Sequence, residues 1–425
     1  MRSGIFKYAA SAITTLLLCL TAWGQDAGYI TLYGHVSDMT TSESLYFSSV
    51  SLSGTSISNV SNSDGHFSLK VPDTTPEDAT VLVSHLGYRT EAVRLSEFSR
   101  STSETPLEIR LATVAIRLDP ATVKSIDASV LFRSAFYKVR DNYPTSRVGM
   151  TAFYREMIRK GTAKYLVLNE AVIDIDKSSY TGFAPDRVGI YKGRGSTNYD
   201  TSDTLFVKLQ GGISTALQLD QVKNPFAGVE LDEAMETYDF HMDGLDTYDG
   251  HSFYCIGFRP KPHVDDIMMK GKVYIEVESL AIGRVEMALD INGREEEAAR
   301  IFVVKRPPDT RFYTNKAEYV ISYKCLEGKW FYDYCRADLS FTTRKRNSLF
   351  RNNFSVTEEM AVTDHHEGTI AIDQASRVKF RDILSEKVAD FSDENFWEDY
   401  NIIEPDQSID AIIKRIVRQL GRRER

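Results

Sequence analysis

The chain has 425 residues, 42% of them hydrophobic and 26% charged, with a formal net charge of −9. A surplus of acids argues against general nucleic-acid binding, which rests on a basic surface. After a leader is removed, roughly 400 residues at about 100–200 per domain leave room for two or three domains.

The first 24 residues read as a secretory signal: Arg2 and Lys7 supply the positive start, "AITTLLLCLTAW" the apolar run, and Ala22-Trp23-Gly24 a small-x-small cleavage site. Its loss removes two cations and takes the charge from −9 to −11. The apolar run is shorter than the roughly 20 residues that span a bilayer, and no later stretch is long and apolar enough. The expectation is an exported chain, in the periplasm or at an outer membrane, with no transmembrane segment after cleavage.

From Tyr29 to about Leu111, "YITLYGHVSD", "VSLSG", "HFSLKVP", "TVLVSHLGYRTEAVRL" and "LEIRL" alternate apolar and polar residues between turns rich in Gly, Ser, Asn and Asp. Short strands at regular spacing predict a β-sandwich over residues 25–113. Asn62-Ser63-Asp64-Gly65 reads as a hairpin loop, with Ser61 opposite His66 and Val60 opposite Phe67. Asp64 is the only acid there, too few for a calcium loop.

This stretch resembles the carboxypeptidase-regulatory-like domain. The marks are Gly34-x-Val36-x-Asp38, Leu45 before Val50-x-Leu52, Ser63-Asp64-Gly65-x-Phe67 and Leu86-Gly87-Tyr88. The resemblance implies a transthyretin-like, Ig-like sandwich of seven strands that serves as a folding and binding module, not as a catalytic domain.

Residues 114–147 form a linker and an amphipathic helix: Ala128, Leu131, Phe132, Ala135, Phe136 and Val139 fall at helical spacing, Asp127 can cap the start and Pro144 stops it. Residues 148–365 are rich in strand signals, among them "TAFYREMIR", "KYLVLNEAVIDID", "HSFYCIGFRP", "GKVYIEVES", "ARIFVVKR", "AEYVISYKC" and "NFSVTEEMAV". They predict a larger antiparallel β (α+β) domain, with "GGISTALQLDQVKNPFAGVELDEAME" as a helical or irregular cover. The fold class is therefore mainly β. The run from Tyr248 to Leu289 is similar to the half-barrel strands of the outer-membrane lipoprotein carrier and related periplasmic binders. Such a sheet can hold an apolar ligand, and an ordinary helix-covered core shows the same alternation.

Residues 366–425 lead through "FWEDYNIIEP" into a helix with Ile409, Ile412, Ile413, Ile416, Val417 and Leu420 on one stripe, Asp406 as cap and a basic end. The helix before Pro144, the "FYRE" strand at Phe153–Glu156 and "FWEDYNIIEP" together resemble exported proteins of Gram-negative bacteria that carry the regulatory-like domain at their N-terminus. That resemblance supplies no catalytic residues.

No catalytic, cofactor or metal residues emerge from motifs. His263 is followed by Asp265 and then by Asp266 at the position where the H-x-x-E arrangement of a zinc carboxypeptidase needs Glu, and no third ligand is evident. His365, His366 and Glu367 cluster, but adjacent strand residues face opposite ways and an exposed loop is the favoured reading. Glu276 and Glu278 would share a strand face, as paired glycosidase acids do, with nothing else in support. "GIYKGRGS" follows no phosphate-loop pattern. Of Cys255, Cys325 and Cys335, the last two flank a hairpin centred on Glu327-Gly328, with Cys325 opposite Trp330 and Cys335 on the other face, so a disulfide within this hairpin would need a bulge and none is expected there.

The leading functional reading is a non-enzymatic envelope protein acting in binding or assembly, with outer-membrane or envelope proteins as partners. The alternatives are a carrier of a lipid or other apolar ligand, and a peptide or glycan hydrolase. The last would need acids or histidines distant in sequence to converge in a cleft.

Overall fold

The computed structural model describes residues 28–114, 127–162, 164–197, 212–227, 230–302, 309–346, 350–366, 368–379, 382, 384–388, 396–397, 400–407, 409–411 and 413–414. The expected leader lies outside them, as do Ile412, Ile416, Val417 and Leu420 of the expected stripe, whereas Ile409 and Ile413 pack against Met157, Tyr165 and Leu168. Among the described residues, no helix is long and apolar enough to cross a membrane.

Alternation in the first hundred residues produces seven strands: β1 (Tyr29–Asp38), β2 (Ser49–Leu52), β3 (Ser58–Val60), β4 (His66–Pro72), β5 (Thr80–Ser84), β6 (Glu91–Arg94) and β7 (Leu107–Leu111). They form two sheets, β4-β1-β7 and β3-β2-β5-β6. Leu32, Val36, Val50, Phe67, Leu69, Val81, Val83 and Ile109 fill the space between them. The sequence marks explain themselves here. A Cβ at Gly34 would fall 2.3 Å from the Phe67 ring, so only glycine lets that ring lie across β1. The Tyr88 hydroxyl donates to Asp38 at 2.8 Å, joining two marks fifty residues apart.

One expectation fails. Val60 and Phe67 are not partners: Val60 pairs with Ser49 in one sheet and Phe67 with Gly34 in the other. The loop at 62–65 does close, with Gly65 N–H donating to Asn62 O at 3.0 Å and Gly65 at φ +82°. It turns the chain from one sheet to the other, which frees Val60 to pack outside the sandwich.

The larger unit is one ten-stranded antiparallel sheet, ordered β10-β9-β8-β17-β16-β15-β14-β13-β12-β11. Its strands are β8 (Val148–Lys160), β9 (Lys164–Lys177), β10 (Arg187–Thr197), β11 (Tyr238–Tyr248), β12 (His251–Pro260), β13 (Met269–Glu276), β14 (Ile282–Leu289), β15 (Thr310–Leu326), β16 (Lys329–Lys345) and β17 (Arg351–His366). After three strands the chain crosses to the far edge through helices α1 of this cover segment (Gly212–Gln218) and α2 (Leu231–Thr237), then meanders back until β17 pairs with β8.

One face of this sheet carries the helices. The expected helix before Pro144 runs over Ala128–Tyr137, capped by Asp127, which accepts from the backbone N–H of Ser129 and Val130. All six stripe residues reach the core. Phe132 stacks on Phe226 and Phe240 at 5.6 and 4.5 Å, and the Tyr332 hydroxyl donates to Ala216 O at 2.6 Å. Two local expectations change on this face. "ARIFVVKR" begins inside a helix, Glu295–Phe302, whose three leading glutamates suit a positive helix N-terminus. Cys325 does pair with Trp330 across a turn with positive φ at Glu327 and Gly328, but a bulge at Asp333 shifts the register. Trp330 and Cys335 consequently share one face, and all three described cysteines are free thiols.

The other face receives the sandwich and the C-terminal segment. Phe153, Val172, Tyr334 and Ala361 of the sheet meet Val60 of β3 and Phe396, Trp397 and Ile403. At the centre Arg155, 2% exposed, pairs with Glu170 at 2.7 Å and Glu359 at 3.0 Å, and donates to Ile403 O at 2.8 Å. Arg194 holds Glu170 from the far side and lies over the Trp397 ring at 4.9 Å; Arg336 bridges Glu359 and Asp338 and lies over Phe47 at 4.7 Å. Burial opposes charging of Glu170, but Arg155 and Arg194 outweigh it and hold its carboxyl below the ordinary value.

Two outcomes follow. Arg155→Ala leaves two buried carboxylates short of a cation and is expected to destabilise the fold by about 3 kcal/mol or more, read from its urea midpoint. On the helix face, burial and then neighbouring Glu156 push Glu358 from 4.5 up to about 8. The folded state thus holds a proton that the unfolded state releases at lower pH, so stability falls as pH rises from about 4.5 to 8 and levels off above. Glu358→Gln should flatten that fall and melt higher than the parent at pH 9, above Glu358's folded pKa of about 8. A parallel pH profile in both proteins would contradict it.

Candidate functional site at the junction of the sandwich and the large sheet

The loop at 62–65 shows how the junction is built. Asn62 Oδ1 accepts the N–H of Asp64 and His66 at 3.0 and 2.9 Å, which shapes the turn. Its amide then donates to Pro405 O at 3.2 Å, and Asp64 Oδ2 accepts the Gln407 N–H at 2.7 Å. The one acid of this loop is therefore engaged with the C-terminal segment. Asp406 in turn accepts the Ile409 N–H at 2.8 Å, the cap expected there.

Further along, Asn401 acts as a strand partner with its side chain. Its Oδ1 accepts Lys70 N–H at 2.8 Å and its Nδ2 donates to Lys70 O at 3.1 Å. Strand β4 is an edge of its sheet, and this pairing covers exposed backbone. Direct contacts complete the docking: Gly87 N–H to Thr247 O at 2.9 Å, Ser84 Oγ to Asp249 at 3.2 Å, Ser58 Oγ to Val362 O at 3.3 Å, and Ser56 Oγ to Asp364.

Between these contacts lies a cleft of about 400 Å³. Tyr29 and Lys70 of the sandwich, Thr151, Asp174, Tyr191, Asp364 and His366 of the large sheet, and Tyr400 and Asn401 of the C-terminal segment line it. His366 Nε2 lies 2.8 Å from Thr151 Oγ, which donates to Asp174 Oδ1 at 3.2 Å. Burial raises the Asp174 carboxyl above its usual pKa, with Thr151 and His366 pulling the other way. Asp174 of β9 thus meets Asp364 and His366, two residues apart on β17, in one cleft.

The residues singled out in sequence fare differently. His365 and His366 end strand β17 instead of occupying an exposed loop; His365 packs against Phe331 at 5.0 Å, and burial, then Lys324, hold its pKa down to about 3, so it stays neutral. Only His366 reaches the cleft, and Glu367 lies outside the described residues. Glu276 accepts from the backbone N–H of Glu278 and Ser279 and shapes a turn, so the two acids do not form a pair in a cleft. His263, Asp265 and Asp266 are exposed in the loop after β12. "GIYKGRGS" lies in β10. Among the described residues no group of three or more His, Cys, Asp or Glu could hold a metal.

A second buried polar cluster lies near β10. Lys177 pairs with Asp186 and Asp220 at 2.8 Å each, Tyr323 donates to Asp220 at 2.8 Å, and Lys223 pairs with Asp186 at 3.0 Å. Asp186 and Lys223 line an open hollow of about 630 Å³. Both carboxylates are occupied by lysines, and the cluster ties the end of β9 to the cover segment.

Residues 32–123 match the family model of the CarboxypepD_reg-like domain. The seven strands between Tyr29 and Leu111 are its sandwich, and the chain carries that domain. No curated protein matches the chain. Among solved structures it is similar to a DUF1329 family protein from Desulfovibrio piger, at 13% identity, covering 58% of this chain and 94% of that one. The TM-score of that match is 0.21.

The Asn401 pairing can be removed by itself. Asn401→Ala strips two hydrogen bonds from the backbone of Lys70 and is expected to cost about 1–2 kcal/mol. Limited proteolysis should then cut the C-terminal segment faster than in the parent; equal rates would contradict the clamp.

Proposed function

We propose that this chain is a non-enzymatic binding or assembly component of the cell envelope of a Gram-negative bacterium. In this reading the regulatory-like sandwich and the large sheet work as one binding unit. The observation that carries it is the composite cleft, whose walls come from the sandwich, the sheet and the C-terminal segment together. A binding surface assembled from parts so distant in sequence suits recognition, because it is shaped only when all three are docked.

The carrier alternative gains little. The apolar face of the sheet is filled by the protein's own helices, and the void among Phe132, Phe136, Phe226, Val273, Ile282 and Val285 measures about 10 Å³. That is about one water's worth of room. The hydrolase alternative is favoured by the convergence of Asp174, Asp364 and His366. It predicts that the purified chain cleaves envelope glycan or peptide and that Asp174→Asn abolishes the cleavage.

The envelope reading is tested by fractionating cells that produce the full chain and weighing the product. Export predicts a periplasmic or outer-membrane protein that has lost residues 1–24. A cytoplasmic protein that keeps them would overturn the reading.

A further inference from the structure

We propose that the junction cleft binds a neutral, polyhydroxylated ligand, a short stretch of glycan, with Tyr29 and Tyr191 as stacking platforms. This rests on the binding reading above and names its ligand class.

The rim supplies the first argument. Tyr29 is 44% exposed and Tyr191 59%, although both rings are large apolar surfaces. Tyr400 packs against Tyr191 at 4.9 Å between centroids and props it at the cleft mouth. Lys70 Nζ lies 5.3 Å from the Tyr29 ring and supports the opposite wall. The C–H face of a sugar ring is weakly positive and packs on the negative face of an aromatic ring. Tyrosine adds a hydroxyl for the sugar's own hydroxyl groups.

The floor supplies the second. Asp174 engages Thr151 through Oδ1, and Asp364 uses Oδ1 for both Ser56 Oγ and the His365 N–H. Among the described residues each carboxylate has a second oxygen without a hydrogen-bond partner. Beyond its two bonds to Lys70, Asn401 keeps one amide hydrogen and one carbonyl lone pair, and His366 has a second ring nitrogen besides the Nε2 that meets Thr151. Sugar hydroxyls both donate and accept, so a floor of mixed groups satisfies them.

Charge and size decide against other ligands. Two carboxylates beside one lysine repel phosphate and other anions, and although Ile57, Val71 and Ile370 add apolar lining, an acyl chain there would cover Asp174 and Asp364, which need hydrogen bonds. The volume of about 400 Å³ falls within the range of small-ligand pockets, about 300–1,000 Å³.

The test is saturation-transfer NMR on the full chain with maltohexaose, cellohexaose and chitohexaose, followed by titration calorimetry on any that respond. At least one sugar should receive saturation at its C–H protons. Tyr191→Ala should weaken that sugar's binding by about tenfold, as loss of one aromatic platform implies, with an unchanged melting temperature. Tyr29→Ala is the second variant, on the opposite wall. Failure of all three sugars, or equal affinity in both variants, would overturn the assignment. Failure of the sugars with the chain still exported would leave the envelope reading intact, whereas a cytoplasmic chain that binds sugar would sink the envelope reading alone.

Discussion

A guanidinium that is 2% exposed dictates much of this molecule. Removing a charge from water costs several kcal/mol, and only close partners with good geometry offset it. Arg155 finds them in three separate places: Glu170 on β9, Glu359 on β17 and the carbonyl of Ile403. Strand β8 must therefore lie between β9 and β17, and residue 403 must return to the middle of the sheet. Arg194 and Arg336 complete a set of three cations against Glu170, Glu359 and Asp338, so no charge is left over. The same two arginines lie over Trp397 and Phe47, which draws in the C-terminal segment and the sandwich.

The sheet consequently has two different faces. One is an apolar core closed by helices, with a void of only about 10 Å³ beneath Phe132 and Phe226. The other is a polar and aromatic junction, where docking through a few hydrogen bonds and one small apolar cluster leaves a cleft between the contacts. The junction cleft of about 400 Å³ lies on the second face.

Much of the fold was legible in sequence because alternation and turn chemistry are local. Strands β1, β4 and β7 coincide with their apolar runs, and the six-residue stripe from Ala128 to Val139 buries as its spacing implies. The errors have physical causes. Asn62-Ser63-Asp64-Gly65 has hairpin chemistry, yet it turns a corner between sheets because Val60 is wanted by the large sheet. A single bulge at Asp333 moved Cys335 to the face opposite the expected one. The apolar residues of "ARIFVVKR" suit a strand, but Glu295, Glu296 and Glu297 ahead of them start a helix that runs to Phe302. The cleft was hidden for a different reason: Asp364 and His366 are neighbours on β17, but Asp174 and Asn401 are far from them in sequence and join them only through strand order and the returning C-terminus. "FYRE" and "FWEDYNIIEP" were visible as family-like marks, but not that Phe153 would meet Trp397 at 5.6 Å and Arg155 would meet Ile403.

The central claim is that the sandwich, the large sheet and the C-terminal segment form one cooperative body. Native-state hydrogen exchange tests it at two junction amides, Gly87 bonded to Thr247 O and Gln407 bonded to Asp64. If the body opens as a whole, both exchange with the same protection as Leu69 in the sandwich core. If they exchange quickly while Leu69 stays protected, the parts move independently and the cleft between them is not a built site.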